Sequence, residues 1–380
     1  MTALILLKTG DKNMIFTVPC IMGTEGLVAD ELRFGGFDGV NAENGSVSFE
    51  GDMSDCARAN ITLRCGERVL IRLGWFSAHS FEALFESVKA LPWENFIGST
   101  DAFPVKGYSL NSQLKSVPAC QSIIKKAVVE RLRDKYSCTE LPETGSKHQI
   151  QFAIMKDMAT LYLDTSGAPL YKRGYKLEQS EASLRETLAA SMVKIARYRG
   201  REDFYDPMCG SGTIAIEAAM ASLNMAPGIN REFDASAWGK DWAAAFAWQK
   251  EAAQAKARRE KLPIYASDND PAAVELTCEN ARRAGVLDYI TVHKANALTT
   301  DWSSKNGVLM CDPPYGVRML DIKQARQLCA KFGEALRGSP IKKYIISADE
   351  DFEGIFGMPA DKRRKLYNGM IKCNLHMYFK

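Results

Sequence analysis

The sequence has few of the features that mark secreted, membrane-spanning or metal-binding proteins. Its 380 residues include only 4 histidines, and the 10 cysteines form no CxxC pair and no Cys/His cluster with the spacing of zinc ligands. No apolar run approaches the ~18 residues of a membrane span, and the apolar patch at 3–7 is too short for a secretory signal. We therefore expect a cytoplasmic protein with reduced cysteines and no metal site.

The sequence also lacks internal repeats, low-complexity tracts and a strong charge of either sign. The net charge is +3, with 46% hydrophobic and 25% charged residues. These values predict an ordinary globular protein with a sizeable core. So small a positive charge is compatible with an acidic partner such as nucleic acid but does not indicate one by itself.

The order of predicted elements divides the chain near residue 165. Up to that point short strands alternate with helices in an order typical of small α+β modules, which we place at 1–64 and 65–165. The basic, Gly- and Pro-containing stretch TSGAPLYKRGYK indicates a linker at 166–182. From 183 to 380 strands and helices alternate regularly, which predicts an α/β domain with a parallel sheet and helices on both faces.

The stretch DPMCGSGT, 206–213, places a glycine turn between a predicted strand and a predicted helix. At the carboxyl end of a parallel strand, such a turn lies where ligands bind. No lysine follows the glycines, as a phosphate-binding P-loop requires, and the third glycine of a dinucleotide fingerprint is absent. S-adenosylmethionine has no phosphate and has a cationic end, which the Asp206 carboxylate suits. The glycines alone leave open a turn that merely starts the helix.

A second motif, LMCDPPYG at 309–316, follows another predicted strand. Consecutive prolines fix the backbone and remove two N–H donors, so their carbonyls form a rigid group of acceptors with the Asp312 side chain. The ring of Tyr315 beside them suits a stacked heterocycle. Hydrogen bonds from an exocyclic amine to Asp312 and the Pro313 carbonyl would raise electron density on its nitrogen. The predicted catalytic residues are Asp312, Pro313, Pro314 and Tyr315.

The two motifs resemble motifs I and IV of the amino-group methyltransferases that use S-adenosylmethionine. The phrases LYLDTSGAPLYKRGYK, ASLRETLAA, APGINREF and DNDPAAVELTCENARRAG are similar to THUMP-domain RNA guanine-N2-methyltransferases, the RlmL N-terminal-half or YpsC-like family. NITLRCGERVLIRLGWFSAHSFEALFESVKALPWENF resembles the ferredoxin-like and THUMP region of that family. The resemblance covers nearly the whole chain. It implies a ferredoxin-like module at 1–64, a THUMP domain at 65–165 and a Rossmann-like class I methyltransferase domain at 183–380, with S-adenosylmethionine as cofactor.

The resemblance also assigns roles to individual residues. It implies that the glycine turn lines the methionine end of the cofactor and that Asp268, or else Asp270, binds the ribose hydroxyls. Asn296 stands where relatives usually carry an Asp that meets the adenine amino group, and its amide oxygen can accept the same N–H. The helix around Glu186 and Thr187 is expected near the cofactor carboxylate. The predicted cofactor contacts are Asp206, Pro207, Cys209, Gly210, Ser211, Gly212, Thr187, Asp268, Asn269 and Asn296.

Basic residues outnumber acidic ones between 101 and 180, and the run IIKKAVVERLRDKY concentrates five of them on one amphipathic helix. A solvated helix face is the simpler explanation of that run alone. The linker sequence YKRGYK alternates tyrosines with basic residues, a composition suited to phosphate contact and base stacking. Given the resemblance, we predict RNA contacts at Lys125, Lys126, Lys172, Arg173 and Tyr175.

The motifs together with the resemblance imply a methyltransferase that modifies N2 of a guanine in ribosomal RNA of the large (23S) subunit. Two alternatives stay open. One is adenine-N6 methylation of RNA or DNA, because Asp-Pro-Pro-Tyr serves either amine. The other is an RNA-binding assembly factor whose methyltransferase fold is inactive. Ring-carbon methylation through a Cys311 nucleophile is disfavoured, because that chemistry does not need the acceptor group and Cys311 should point into the sheet.

Overall fold

The computed structural model describes residues 14–176, 184–314 and 322–379, which form two halves, each built on a seven-stranded sheet. The elements of the first half are β1 Met14–Pro19, α1 Glu25–Phe34, β2 Asp38–Glu43, β3 Ser46–Gly51, α2 Met53–Thr62, β4 Leu70–Ser77, α3 Phe81–Lys89, β5 Val105–Leu110, α4 Val117–Tyr136, β6 Ile150–Met155 and β7 Met158–Asp164. Those of the second half are α5 Glu186–Ile195, β8 Phe204–Asp206, α6 Thr213–Ser222, α7 Lys240–Ala255, β9 Ile264–Asp268, α8 Pro271–Arg283, β10 Thr291–Lys294, β11 Val308–Cys311, α9 Ile322–Ala335, β12 Lys342–Ser347, α10 Phe352–Phe356, β13 Lys362–Asn368 and β14 Ile371–Tyr378.

The two small modules predicted before residue 165 share one sheet. Its strand order is β2-β3-β1-β4-β7-β6-β5, with β4 pairing antiparallel to β1 on one side and to β7 on the other. Alternate strand residues such as Phe16, Phe49 and Phe152 are buried in a single core with residues of α1–α4. The predicted boundary near residue 64 therefore divides one continuous sheet, because β4 pairs both with β1 of the first module and with β7 of the second.

Strand β2 is an element that the sequence analysis did not predict. Five of its six residues are exposed, so it lacks the apolar alternation that marks a half-buried strand. It forms through a hairpin with β3, in which Glu43 pairs with Ser46 across an Asn44-Gly45 turn, and Gly45 has φ of +78°. An Asn-Gly pair before a strand is a hairpin signal that is visible in the sequence.

The second half confirms the predicted α/β fold. Its sheet has the order β10-β9-β8-β11-β12-β14-β13, in which the first five strands are parallel, β14 is antiparallel to β12, and β13 is antiparallel to β14. One core, which includes residues of α5, α6 and α8, lies on one face, and a second, which includes residues of α9 and α10, lies on the other. Within the described ranges, no helix has the length and apolar character needed to cross a bilayer.

The segment between α6 and β9, rich in Trp and Ala, leaves the second half and packs against the first. Helix α7 contacts α2, and Phe246 of α7 is buried in the core of the first half. Gln249 donates from Nε2 to Ser54 Oγ at 2.9 Å, and the N–H of Gly228 donates to the Ile61 carbonyl at 2.9 Å. The halves are therefore packed together, and deleting residues 1–165 would expose apolar surface of the second half.

The predicted linker is also part of this junction. Arg173 is 3% exposed and Tyr175 is 3% exposed, and both donate to Glu217 Oε1 of α6, at 3.4 Å and 3.2 Å. Arg173 also donates to the carbonyls of Leu170 and Arg64. Arg173 and Tyr175, which the sequence analysis predicted to contact RNA, are therefore buried between the halves and do not present their side chains to a ligand at the surface.

Candidate active site

The site lies where the chain order of the second sheet reverses. Strands β8 and β11 are parallel neighbours, and Val308 and Leu309 of β11 pair with Phe204 and Tyr205 of β8. From β8 the chain continues to β9 and β10 on one side, while β11 and β12 follow on the other. The crevice at the carboxyl ends of two such strands is the usual ligand site of open α/β sheets. The Asp206 turn follows β8 there, and the Asp312 motif follows β11.

The glycine turn needs glycine at two positions for different reasons. Gly212 has φ of +78° as the N-cap of α6, and a Cβ there would lie 2.7 Å from Cγ2 of Thr277. Gly210 has φ of +52°, but a Cβ there would meet no described atom within 4 Å. Both φ values favour glycine. Gly210 thus leaves its backbone open on the side where a ligand can approach.

Two polar residues of α8 stabilise the backbone of this turn through hydrogen bonds. Thr277 donates from Oγ1 to the Gly210 carbonyl at 2.9 Å, and Asn280 donates from Nδ2 to the Ser211 carbonyl at 2.9 Å. Both side chains are buried and lie one helical turn apart. The sequence analysis gave neither of them a role, although a Thr and an Asn three residues apart on the buried face of a helix are a visible signal.

Of the two candidate ribose ligands, the geometry favours Asp268. Its Oδ2 accepts the Gly210 N–H at 3.0 Å, and its Oδ1 accepts the Asp270 N–H at 3.0 Å. Asp268 therefore lies at the end of β9 against the glycine turn, with further acceptor capacity on each oxygen. Asp270 instead caps α8 by accepting the Ala272 N–H at 3.0 Å.

Asp206 is a deeply buried acid of the site whose pKa is strongly perturbed. It is 1% exposed. Within the described residues, neither carboxylate oxygen has a hydrogen-bond partner at an ordinary distance and angle. Burial raises the pKa of Asp206 well above its usual range, the nearby Ala215 N–H opposes this, and the charges of Asp268 and Asp312 add to the rise. A cationic ligand would supply the counter-charge that the described side chains do not provide.

Asp312, Pro313 and Pro314 follow β11 as predicted, whereas Tyr315 lies outside the described residues. The charge of Asp312 acts on Asp206 and also on the buried amine of Lys176, which belongs to the predicted linker. Lys176 lies 3.6 Å from Glu186 Oε1, and burial lowers its pKa. A cavity of about 350 Å³ begins beside Pro314 and is lined in part by Cys329, Ser347 and Phe352.

Several other predicted cofactor contacts are already engaged. Thr187 is fully buried, and its hydroxyl donates to Glu67 Oε1 of the first half, so it joins the two halves. Asn296 Oδ1 accepts the Leu298 N–H at 2.9 Å, which leaves one lone pair for another donor. The Cys209 N–H donates to the Ser267 carbonyl at 3.0 Å. Of the remaining members of the turn region, Pro207 is buried, Ser211 is half-buried and Asn269 is exposed.

Cys311 is fully buried, and burial raises its pKa well above the usual range of a thiol. It lies in the apolar core on one face of the sheet, as the sequence predicts. A neutral, buried thiol does not act as a nucleophile. Among the described residues, no group of three or more His, Cys, Asp or Glu side chains has an arrangement that could hold a metal ion.

The predicted RNA contacts outside the junction differ in their availability. Lys125 is neutralised by Glu143 at 2.6 Å, and its ammonium lies 3.5 Å from the centre of the Phe103 ring. Lys126 is 67% exposed, with Glu130 at 3.9 Å, and Lys172 is exposed. Lys126 and Lys172 can therefore meet a phosphate, whereas Lys125 is held by its own module.

Comparison with known families and proteins agrees with this architecture. Residues 173–377 match the RMKL-like methyltransferase domain, residues 15–70 the RlmL ferredoxin-like domain and residues 78–164 the THUMP domain. The chain is 38% identical to the Bacillus subtilis protein YpsC over 97% of its own length and 96% of that protein. It is 33% identical to the ribosomal RNA large subunit methyltransferase K/L of Psychromonas ingrahamii over 96% of its length, but it spans only 50% of that protein.

Two solved structures resemble the whole chain. SMU.472, complexed with SAH, superposes with a TM-score of 0.90 at 36% identity, covering 97% of this chain and 98% of that one. A Listeria monocytogenes protein described as a predicted N6-adenine-specific DNA methylase gives a TM-score of 0.90 at 40% identity, covering 97% of both chains. The similarity therefore extends across both halves and their junction.

Proposed function

This chain belongs to the RMKL-like methyltransferase family, and we propose that it transfers the methyl group of S-adenosylmethionine to the exocyclic N2 amine of a guanine in ribosomal RNA. The main observation in support of this proposal is that two different acidic motifs lie next to each other at one edge of the second sheet. Asp206 lies at the end of β8, Asp312 directly follows the adjacent β11, and their charges interact. One motif suits a cationic donor, and the other suits an amine acceptor.

The residues of the turn fit S-adenosylmethionine. When bound, S-adenosylmethionine supplies an electrophilic methyl group on a positively charged sulfur. Asp206 would balance the positive charge of its methionine end, the open backbone at Gly210 would admit it closely, and Asp268 would accept its ribose hydroxyls. Thr277 and Asn280 keep this backbone in place and so reduce the reorganisation that binding requires.

On the acceptor side, Asp312 and the Pro313 carbonyl would accept the two N–H hydrogens of the target amine. An exocyclic amine is a poor nucleophile because its lone pair is conjugated with the ring. Acceptors aimed at its hydrogens stabilise the positive charge that develops on nitrogen as the methyl group transfers. Holding the amine and the methyl donor in line supplies the remaining rate enhancement.

RNA is favoured over DNA as the substrate. The chain carries matches to both the RlmL ferredoxin-like and the THUMP domain, and its relative in Psychromonas ingrahamii is named as a ribosomal RNA enzyme. Adenine N6 is the second candidate, because the Listeria monocytogenes neighbour is described as an N6-adenine-specific DNA methylase. The Asp-Pro-Pro motif is compatible with either amine, so the methylated product has to be identified to decide between guanine and adenine.

The experiment that tests the proposed substrate is methyl transfer from radiolabelled S-adenosylmethionine to three acceptors in parallel. These are ribosomal RNA from cells that lack this gene, ribosomal RNA from wild-type cells, and unmethylated double-stranded DNA. We expect labelling of the first RNA and little labelling of the other two. Labelling of the DNA alone would overturn the RNA assignment, and the absence of any labelled product would favour the inactive assembly factor.

Replacing Asp206 by Asn should separate stability from cofactor binding. Because burial raises the pKa of Asp206 above its unfolded value, the ligand-free protein loses stability as pH rises through and above the unfolded pKa of about 3.9. Asp206→Asn removes that loss, so we expect the variant to be about 1–3 kcal/mol more stable than the wild type at pH 7. Its affinity for S-adenosylmethionine should fall at least about tenfold, because a charge partner is gone.

Denaturant unfolding at pH 5 and pH 8 and calorimetric titration with S-adenosylmethionine measure the two effects. The stability gain should be larger at pH 8 than at pH 5. A variant that is less stable than the wild type and binds the cofactor with unchanged affinity would contradict the role of Asp206.

A further inference from the structure

One face of the first sheet is open across strands β4–β7. Alternate residues of these strands point into the core, where Leu73, Leu161 and Phe152 are at most 2% exposed. The residues between them point the other way. On that second face Trp75 of β4 is 50% exposed and Tyr108 of β5 is 46% exposed. A broad face with large exposed side chains usually marks an interaction surface.

The open face combines aromatic and basic side chains. Strand pairing places Arg72 opposite Tyr162, and Lys106 lies two residues before Tyr108 on β5. The Tyr108 hydroxyl lies 3.9 Å from the sulfur of Met155 on β6. The six residues that define this platform are Arg72, Trp75, Lys106, Tyr108, Met155 and Tyr162.

Acidic residues contribute little to this face. In the described strands β4–β7, Asp164 has the same orientation, but it is fully buried and paired with Arg68. The charge of Glu43, from β2, reaches Tyr162 and raises its pKa, although burial is the larger cause. The platform therefore carries one exposed cation, Lys106, one half-buried cation, Arg72, and no exposed carboxylate of its own strands, which complements a polyanion.

We propose that the open face of β4–β7 binds single-stranded RNA, with bases stacked on Trp75 and Tyr108 and phosphates near Arg72 and Lys106. The two aromatic residues lie on the outer strands of this four-stranded set, three inter-strand steps or about 14 Å apart. A four-stranded sheet that bears aromatic residues can stack two or three bases. The inference rests on the proposed function only in that the substrate is RNA.

None of the five residues that the sequence analysis predicted to contact RNA offers an exposed ring for stacking. Of the residues that the sequence analysis predicted to contact RNA, Arg173 and Tyr175 are buried in the junction, and Lys125 is paired with Glu143. The exposed Lys126 and Lys172 offer charge but no ring. Bases in a single strand need a flat surface for stacking, and the platform supplies it on a rigid sheet.

The test is RNA affinity of the full-length protein, measured by fluorescence anisotropy with a labelled oligouridine and with a labelled RNA duplex. Trp75→Ala and Tyr108→Ala should each weaken oligouridine binding by at least about fivefold, whereas Tyr108→Phe should retain most of the affinity because stacking survives. Arg72→Ala and Lys106→Ala should each make the plot of log affinity against log salt concentration less steep, by a slope of about one, because one phosphate contact is lost. Duplex binding should change less in the aromatic variants.

Matched controls are Phe34→Ala on α1, where the ring is 90% exposed, and Trp248→Ala on α7, where it is 61% exposed. Neither should change RNA affinity. The proposal is overturned if Trp75→Ala combined with Tyr108→Ala binds oligouridine as tightly as the wild type. It is likewise overturned if these substitutions leave RNA affinity intact but convert a dimer into a monomer by light scattering, since the face would then bind a second copy. Wild-type methyl transfer in either case would leave the proposed function standing.

Discussion

Asp312→Ala is expected to lower the rate constant for methyl transfer by about 10²–10³-fold while S-adenosylmethionine binds as tightly as before. Asp312 follows β11, and its charge adds to the unfavourable field at Asp206. Its removal therefore takes away an acceptor for the target amine without removing a counter-charge of the cofactor. Single-turnover kinetics with saturating RNA and calorimetric titration with the cofactor measure the two quantities separately.

Asp288→Ala is the matched control for this substitution. Asp288 is an exposed carboxylate just before β10, at the opposite edge of the same sheet from the site. Its removal should leave both the rate and the affinity near the wild-type values. If Asp312→Ala abolishes cofactor binding as well, then the motif contacts the methyl donor and the division of the site into donor and acceptor motifs is wrong.

Glu217→Ala is expected to destabilise the protein by about 3–5 kcal/mol, because it leaves a buried guanidinium without its counter-charge. Glu217 of α6 is fully buried, and Oε1 accepts from both Arg173 and Tyr175. Arg173 also donates to the carbonyl of Arg64 in the first half. The loss should therefore loosen the junction between the two halves.

Denaturant unfolding with two probes distinguishes this effect from a general loss of stability. We expect the single transition of the wild type to separate in Glu217→Ala, with the second half unfolding at lower denaturant than the first. Glu275→Ala, which removes an exposed carboxylate from α8, should stay within about 0.5 kcal/mol of the wild type. A Glu217→Ala variant that also unfolds within that margin would contradict the structural role of the junction.

The sequence could predict those parts of the site that are formed by short contiguous motifs. The glycine turn and the Asp-Pro-Pro motif each follow a short apolar strand, and strand alternation predicted a parallel sheet. Since the carboxyl ends of parallel strands meet at one edge, the meeting of Asp206 and Asp312 followed from these local features. The preference for Asp268 over Asp270 came from the resemblance alone, and the structure adds the physical reason that Asp270 caps α8.

Long-range packing was the part that the sequence could not predict. The composition of YKRGYK is equally suited to RNA contact and to a buried ionic network, and only the position of Glu217 on α6 distinguishes them. The Trp- and Ala-rich segment gives a helix, but its docking on α2 requires knowledge of both surfaces. Likewise, the pairing of β4 with β7 merges two modules whose separate patterns look independent.

The identity of the methylated nucleoside tests the central claim most directly. Ribosomal RNA from cells that lack this gene is incubated with the protein and labelled S-adenosylmethionine, then digested to nucleosides and separated by chromatography with mass detection. The account predicts that the label elutes as N2-methylguanosine and is lost in Asp312→Ala. Label in N6-methyladenosine as the sole product would contradict the guanine assignment, whatever the rate of transfer.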